Sequence, residues 1–272
     1  MKPFIHTTGG IDWYCERGGH GPSLVLVPSG EGDCSSFRRT AEALSGNFDV
    51  LTFDTPGFSR SGSPNDPTEI SPYTLAKQIV GLTESLGIEH AVYYGCSSGG
   101  IAVLDLLANH QDVIVGGIVH EPAIIENAAS SEPHPLVAVL SRSDEEVRSA
   151  CEQYFSNVLN EDRDAWLGLG ADYHQRLATN YLTWVRQYIA KIDVALQPRK
   201  DGLASCPLTW TIGSYSFSGR TLANVRFAVQ SGIDVGLLPC RHFPQVSIPL
   251  VLSDHILAVA SSYLSKRTLS AG

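Results

Sequence analysis

The chain contains no C-x-x-C pair. Its six cysteines, Cys15, Cys34, Cys96, Cys151, Cys206 and Cys240, are scattered singly through 272 residues. That pattern argues against a cysteine-built metal site and against a disulfide framework in a chain this long. Free thiols in a reducing cytoplasm are the expectation. Basic residues are in short supply: 19 Lys and Arg stand against 28 Asp and Glu, a formal net charge of -9. Nucleic acid and anionic membrane surfaces both need basic patches, so neither is an expected partner. No run approaches the ~18 apolar residues of a membrane span, and residues 1–10 lack the apolar stretch of a signal peptide. Internal repeats and low-complexity tracts are missing as well.

What is present is an apolar fraction of 43%, enough for a sizeable core, in a length that suits one α/β domain with an insertion. Gly9-Gly10 between the runs 4–8 and 11–15 predicts a hairpin. Residues 24–27 are apolar at every position, the mark of a strand buried on both faces of a parallel sheet. Further strands are predicted over 48–53, 91–94, 113–119, 207–213 and 233–238, and helices over 36–44, 73–86, 101–109, 218–230 and 250–264. Strand signals stop after Pro122. Ser143 followed by Asp144-Glu145-Glu146 caps a helix running to about 159. Helical periodicity returns over 164–192 with Trp166, Leu169, Leu177, Trp184 and Ile189. The alternation predicts an α/β fold with a mostly parallel central sheet flanked by helices, formed by residues 1–122 and 204–272. A helical cap over 123–203 interrupts it, with linkers at Pro122 and Pro198. In such sheets, sites form outside the carboxyl ends of the strands.

The stretch Gly95-Cys96-Ser97-Ser98-Gly99 fits G-x-S-x-G, the pattern of a serine raised on a sharp strand-to-helix turn. Side chains at Gly95 or Gly99 would collide with the strand and helix packed beside that turn. Ser97 is the candidate nucleophile, and Ser98 is its frame-shifted competitor. A serine hydroxyl needs a base. His242, in the loop after the last strand, is the first candidate; His120 is the second, and His255 lies inside the last helix. The third member must be an acid that orients the imidazole. No acid occurs between Asp201 and Asp234, so the loop after strand 207–213 cannot supply it. Glu121, which closes strand 113–119, is the candidate, with Asp54 as the runner-up that more often shapes its own loop. Its neighbour His120 should point to the opposite face of that strand. An oxyanion needs preorganised donors. The backbone N–H of Ser98 is one; Gly30 is chosen for the second, with Ser29 and Glu31 as alternatives. The side chain of Cys96 is read as packing.

These residues also carry a family resemblance. The chain resembles the α/β-hydrolase superfamily over essentially its whole length. Within it the chain is similar to the fungal zearalenone lactone hydrolases. The matching stretches are Gly9-Gly10-Ile11-Asp12-Trp13-Tyr14, 53–61, Gly95-Cys96-Ser97-Ser98-Gly99, His120-Glu121, Asn180-Tyr181 with Trp184, Trp210-Thr211, 236–239, and His242-Phe243-Pro244. The resemblance implies that the macrocyclic ester of a resorcylic acid lactone is opened with no cofactor and no metal, with a glutamate as the acid at Glu121. It also places Trp184 against the bound lactone; Ser29, Tyr188 and Phe243 complete the candidate substrate contacts. The family has an aspartate where Ser29 stands, and a tyrosine and a histidine where Gln245 and Ile248 stand, and the stretch 122–140 matches poorly.

The expected activity is therefore a serine hydrolase acting on a bulky apolar lactone, in the cytoplasm, with the lactone as its partner and homodimerisation left open. A general carboxylesterase and a slow-turnover small-molecule receptor are the competing functions. Dehalogenases and epoxide hydrolases of the same fold need aspartate where Ser97 stands.

Overall fold

A computed structural model describes residues 1–63, 70–124, 135–191, 203 and 206–270. The chain opens with a hairpin, β1 (Lys2–Thr8) and β2 (Ile11–Gly19). Gly9 and Gly10 both take positive φ, 60 and 76, as a two-residue turn matched to the twist of the strands requires. β3 (Ser23–Val27), β4 (Asp49–Phe53), β5 (Ala91–Cys96), β6 (Ile114–His120), β7 (Leu208–Gly213) and β8 (Val235–Leu238) complete one sheet in the order β1-β2-β4-β3-β5-β6-β7-β8. β2 runs antiparallel to β4, and every pairing from β4 to β8 is parallel. After β3 the chain steps outward to β4, then returns to the other side of β3 as β5. The loops that leave β3 and β5 thus diverge, and a crevice opens between them at the strands' carboxyl ends.

The core helices before the insertion are α1 (Arg38–Leu44), α2 (Pro72–Ser85) and α3 (Ser98–Asn109). A 3-10 turn over Cys34–Phe37 precedes α1, capped by the Asp33 side chain. Between β6 and β7 lie only helices among the described residues: α4 (Asp144–Gln153), α5 (Arg163–Leu167) and α6 (Ala171–Thr183). The Ser143–Glu146 capping box is formed. α4 and α6 each run on into a π-helical turn, Tyr154–Val158 and Trp184–Tyr188. Then follow α7 (Ser218–Gln230), α8 (Pro244–Ser247) and α9 (Pro249–Ser270). Pro198 and residue 204, the expected far limit of the insertion, lie outside the described residues. No helix among the described residues is long and apolar enough to cross a membrane, and all six cysteines are free.

A glycine pair in β6 shows how the layers close. A Cβ on Gly116 would lie 2.4 Å from the Tyr263 ring of α9, and one on Gly117 would lie 2.7 Å from Leu107 of α3. Successive strand residues face opposite sides of a sheet, so the two helices sit directly on the backbone, one per face.

The turn after β5 is equally tight. A Cβ on Gly95 would meet the Gly99 carbonyl oxygen at 2.3 Å, and one on Gly99 would meet the Pro28 oxygen at 2.4 Å. Gly95→Ala is expected to lower stability by about 1–3 kcal/mol in urea unfolding, because backbone must move to admit the methyl group. Gly81, inside α2, has nothing within 4 Å of its Cβ position. Gly81→Ala is expected to raise stability by about 0.5–1 kcal/mol through helix propensity alone.

Candidate active site

β5 gives way to α3 through a single residue, Ser97. The reversal is that short because Ser97 takes φ 56 and ψ -122, a conformation that costs a residue with a Cβ about 1–3 kcal/mol. Three backbone bonds hold it: its N–H donates to His120 at 3.1 Å, and its carbonyl accepts from Ile101 and Ala123 at 3.1 Å each. Ser98 is the first residue of α3, so its N–H is one of the donors left open at the positive end of the helix.

Glu121, directly after β6, also has a positive φ, 40. Its N–H donates to Thr211 at 2.9 Å, and its carboxylate is fully buried. Oε2 accepts from His242 Nδ1 at 2.7 Å, and Oε1 accepts from the Gly213 N–H at 2.9 Å. Arg220 Nη1 stands 3.9 Å from Oε2. The end of β7, which holds no acid, thus contributes a backbone donor to an acid that arrives from β6. Burial works against the Glu121 carboxylate, but the hydrogen bond and charge of His242, with His120 and Arg220, outweigh it and hold the group well below the usual carboxylate range. Burial first, then the Arg220 guanidinium, push the His242 imidazole down to about 4 against the upward pull of Glu121. At neutral pH the pair is a carboxylate and a neutral imidazole. With Nδ1–H committed to Glu121, Nε2 is left as the acceptor. The Ser97 hydroxyl makes no hydrogen bond to Nε2 among the described residues; such contacts are often long in a free enzyme.

The backbone around His242 is braced from four sides. Its N–H donates to Leu159 at 3.0 Å, and the Arg241 N–H donates to Glu161 at 2.8 Å. His120 Nε2 lies 3.2 Å from the Arg241 carbonyl, and its Nδ1 lies 3.0 Å from the Thr211 hydroxyl. His120 therefore supports the loop that carries His242. The fourth brace corrects the reading of Cys96 as packing alone: its buried thiol donates to the His242 carbonyl at 3.0 Å. A buried S–H beside a carbonyl takes that acceptor. Asp54 belongs to another network. Its carboxylate accepts from the Cys34 N–H and from the Arg60 backbone and guanidinium at 2.6–3.0 Å, which fixes its loop as expected of a shaping residue.

The loop after β3 forms a turn, with Gly32 N–H donating to Ser29 O at 3.1 Å. Ser29, Gly30 and Ser98 line a cleft beneath Trp184, Tyr188 and Phe58. Its volume of about 30 Å³ holds roughly two water molecules. Glu31 is not on the cleft: its side chain is buried, bonded to the Ser29 hydroxyl and to Ser36 at 3.0 Å. Burial pushes its carboxyl up to about 7, against the pull of both serines. A Cβ on Gly30 would lie 2.5 Å from Trp184 Nε1, so glycine is what lets the indole rest on this turn. Trp184 also stacks on Tyr154 and Tyr188, with centroids 6.5 and 6.4 Å apart. Phe243 does not join Ser29, Trp184 and Tyr188 on the cleft. It is 1% exposed and stacked between Phe155 and Trp166, at 5.7 and 6.4 Å, because the aromatic cluster of the inserted helices reaches down onto the residue after His242. Among the described residues no group of three His, Cys, Asp or Glu could hold a metal ion.

Residues 22–264 match the family described as alpha/beta hydrolase fold. The chain is 35% identical over 266 residues to the zearalenone hydrolase of Bionectria ochroleuca, spanning 96% of this chain and 98% of that protein. It is 33% identical over 272 residues to the zearalenone hydrolase of Cladophialophora bantiana, spanning 97% and 98%. Among solved structures, the enol-lactonase from Burkholderia xenovorans LB400 superposes with a TM-score of 0.76 at 20% identity, covering 96% of this chain and 99% of that one. That last likeness is one of fold.

The electrostatics make a prediction with a sign. His242 should titrate near 4, well under the ordinary 6.5, in a nitrogen-detected NMR titration. Arg220→Gln removes a positive neighbour and should raise that value. Glu121→Gln removes the anion that favours the imidazolium and should lower it further. A His242 resonance titrating at its ordinary value in the unmodified protein would contradict the assignment of burial as the dominant influence.

Proposed function

Because this chain belongs to the α/β-hydrolase family, we propose that it is a serine hydrolase that opens the ester of a bulky lactone, with a resorcylic macrolactone such as zearalenone as its substrate. The observation that carries the reading is the buried Glu121–His242 bond of 2.7 Å, with Nε2 left free, on a loop whose His242 carbonyl accepts from the thiol of Cys96, the residue before the strained Ser97. Substrate class rests on the two relatives named zearalenone hydrolase.

In this reading Ser97 Oγ attacks the lactone carbonyl while His242 Nε2 takes the hydroxyl proton. The carbonyl oxygen becomes an oxyanion, and the N–H groups of Ser98 and Gly30 receive it. As the tetrahedral intermediate collapses, the ring C–O bond breaks and His242 returns its proton to the leaving alkoxide. The ring is now open but still attached to Ser97 through the acyl group. Water, deprotonated by His242, attacks the acyl-enzyme and restores Ser97. The net change is addition of one water, with no cofactor. Glu121 stays ionised throughout, orients the imidazole and offsets the charge that forms on it. The inserted helices, read as a cap over 123–203, roof the crevice with Trp184 and Tyr188. A macrolactone needs far more room than the present cleft, so binding displaces Trp184 from the turn at Gly30 and Tyr188 from the cleft wall.

Ser97→Ala is expected to lower kcat on the order of 10⁴-fold or more while substrate still binds. Ser98→Ala, which keeps its backbone N–H, should be far milder. Mass spectrometry should show one water added to a resorcylic macrolactone; none added to any such lactone would rule out the substrate while leaving the hydrolase intact.

Trp184→Ala separates roof from machinery. It should lower kcat/KM for the macrolactone by roughly 10- to 1000-fold, through loss of a broad aromatic contact. Turnover of p-nitrophenyl acetate, which sets far less surface against the indole than a macrolactone does, should change much less. Equal losses on the two substrates would make Trp184 a residue of cap folding only.

A further inference from the structure

Asn180 sits on α6, in the inserted helices, yet its side chain ends in the loops of the core. It is 1% exposed. Oδ1 accepts from the Ser59 N–H at 2.8 Å, and Nδ2 donates to the Ser59 hydroxyl and to the Glu31 carbonyl at 2.7 Å each. Both amide hydrogens and the amide oxygen are thereby engaged. One turn earlier on the same helix face, Arg176 Nε donates to Asp33 at 2.6 Å. α6 is thus fastened to the segment 31–33 by two side chains.

The bond to Glu31 has a geometric consequence. The Glu31–Gly32 peptide is held on both edges: its oxygen by Asn180, and its N–H by the Ser29 carbonyl at 3.1 Å. A trans peptide is planar, with N–H and C=O pointing in opposite directions. Fixing the Ser29 carbonyl therefore fixes the direction of the Gly30 N–H in the same plane. The core adds its own braces to the turn, the Ser29 hydroxyl bonded to the Glu31 carboxylate and the Thr55 N–H donating to the Gly32 carbonyl at 2.9 Å, while Gly32 at φ 71 holds a conformation that glycine adopts without strain. Asn180 is the bond that reaches this peptide from the inserted helices. From this chain of contacts we infer that Asn180 is a positioning residue for the oxyanion donor at Gly30: the cap helix aims the N–H through the turn, without touching substrate. The inference rests on the hydrolase reading above, in which Gly30 receives the oxyanion.

A residue that aims an oxyanion donor acts on the transition state and leaves ground-state binding nearly alone. Asn180→Ala and Asn180→Asp both remove the donor to Glu31, and Ser59→Ala removes the hydroxyl that accepts from Asn180 and donates to Asp33 while leaving the donor to Glu31 in place. Each is assayed for kcat and KM on p-nitrophenyl acetate, and for affinity toward phenylboronic acid. Boron accepts a bond from Ser97 Oγ, the hydroxyl proton passes to His242, and the resulting tetrahedral anion presents an oxygen to the donors. For both Asn180 variants kcat should fall about 10- to 100-fold, somewhat less than outright loss of a donor, with KM within about threefold. Boronate affinity should fall by a similar factor. Ser59→Ala should stay within about threefold on all three readouts. The inference is overturned if the Asn180 variants keep kcat, change only KM or leave boronate affinity intact. Equal losses in Ser59→Ala, or failure of both Asn180 variants to fold by circular dichroism, would also overturn it by reducing Asn180 to scaffolding. Ser97→Ala runs alongside: if it retains turnover, the hydrolase reading itself fails, whereas a dead Ser97→Ala with active Asn180 variants refutes only the role of Asn180.

Discussion

Everything in the site answers to one constraint, the burial of a carboxylate. Glu121 is fully enclosed between β6 and β7, where an unpaired charge would cost several kcal/mol. Its oxygens are satisfied by the Gly213 N–H, His242 Nδ1 and, at longer range, Arg220. Each partner belongs to a different part of the chain: the end of β7, the loop after β8 and the first turn of α7. Removing any one would leave the buried charge less fully compensated. The acid therefore dictates where three separate segments lie, and the imidazole comes to rest with its free nitrogen available.

A second layer of order comes from the inserted helices. They are joined to the core by directional polar contacts as well as by aromatic packing. Arg176 meets Asp33, Asn180 meets Glu31 and Ser59, and the Leu159 carbonyl meets the His242 N–H. Arg241 adds bonds to the carbonyls of Asn157 and Asn160 at 2.6 and 3.4 Å. Apolar packing alone tolerates sliding, whereas these contacts fix a register between the two layers. The segment from Ser29 to Asp33, the Ser59 loop after β4 and the histidine loop are core segments so gripped.

Much of this was legible in the sequence, for reasons tied to range. Strands buried on both faces are apolar throughout, so 24–27 and 113–119 announce themselves, and Gly-x-Ser-x-Gly marks a turn whose steric demands are local. Glu121 emerged by elimination, since no acid follows β7 to compete with it. The unread features all depend on partners distant along the chain. Nothing near Cys96 says that its thiol meets a carbonyl 146 residues away. Asn180 looks like any polar residue in a helix until its bonds to Glu31 and Ser59 are seen. Phe243 is a candidate substrate contact in the sequence reading, whereas packing draws its ring into the aromatic cluster of the inserted helices, which are distant along the chain. The π-helical turns after α4 and α6 have no local signature either; they fall where Phe155 and Trp184 enter that cluster.

The same cluster gives the molecule an optical property. Of four tryptophans, Trp13 and Trp210 are sealed in the sheet and Trp166 is sealed among the inserted helices, at 1% exposure or less. Trp184 alone borders the cleft, at 8% exposure. Three indoles thus emit from surroundings that no ligand reaches, and the fourth lies where any occupant of the crevice must displace or cover it. The intrinsic fluorescence of the protein divides into a constant background and a single reporter, placed over the turn at Gly30.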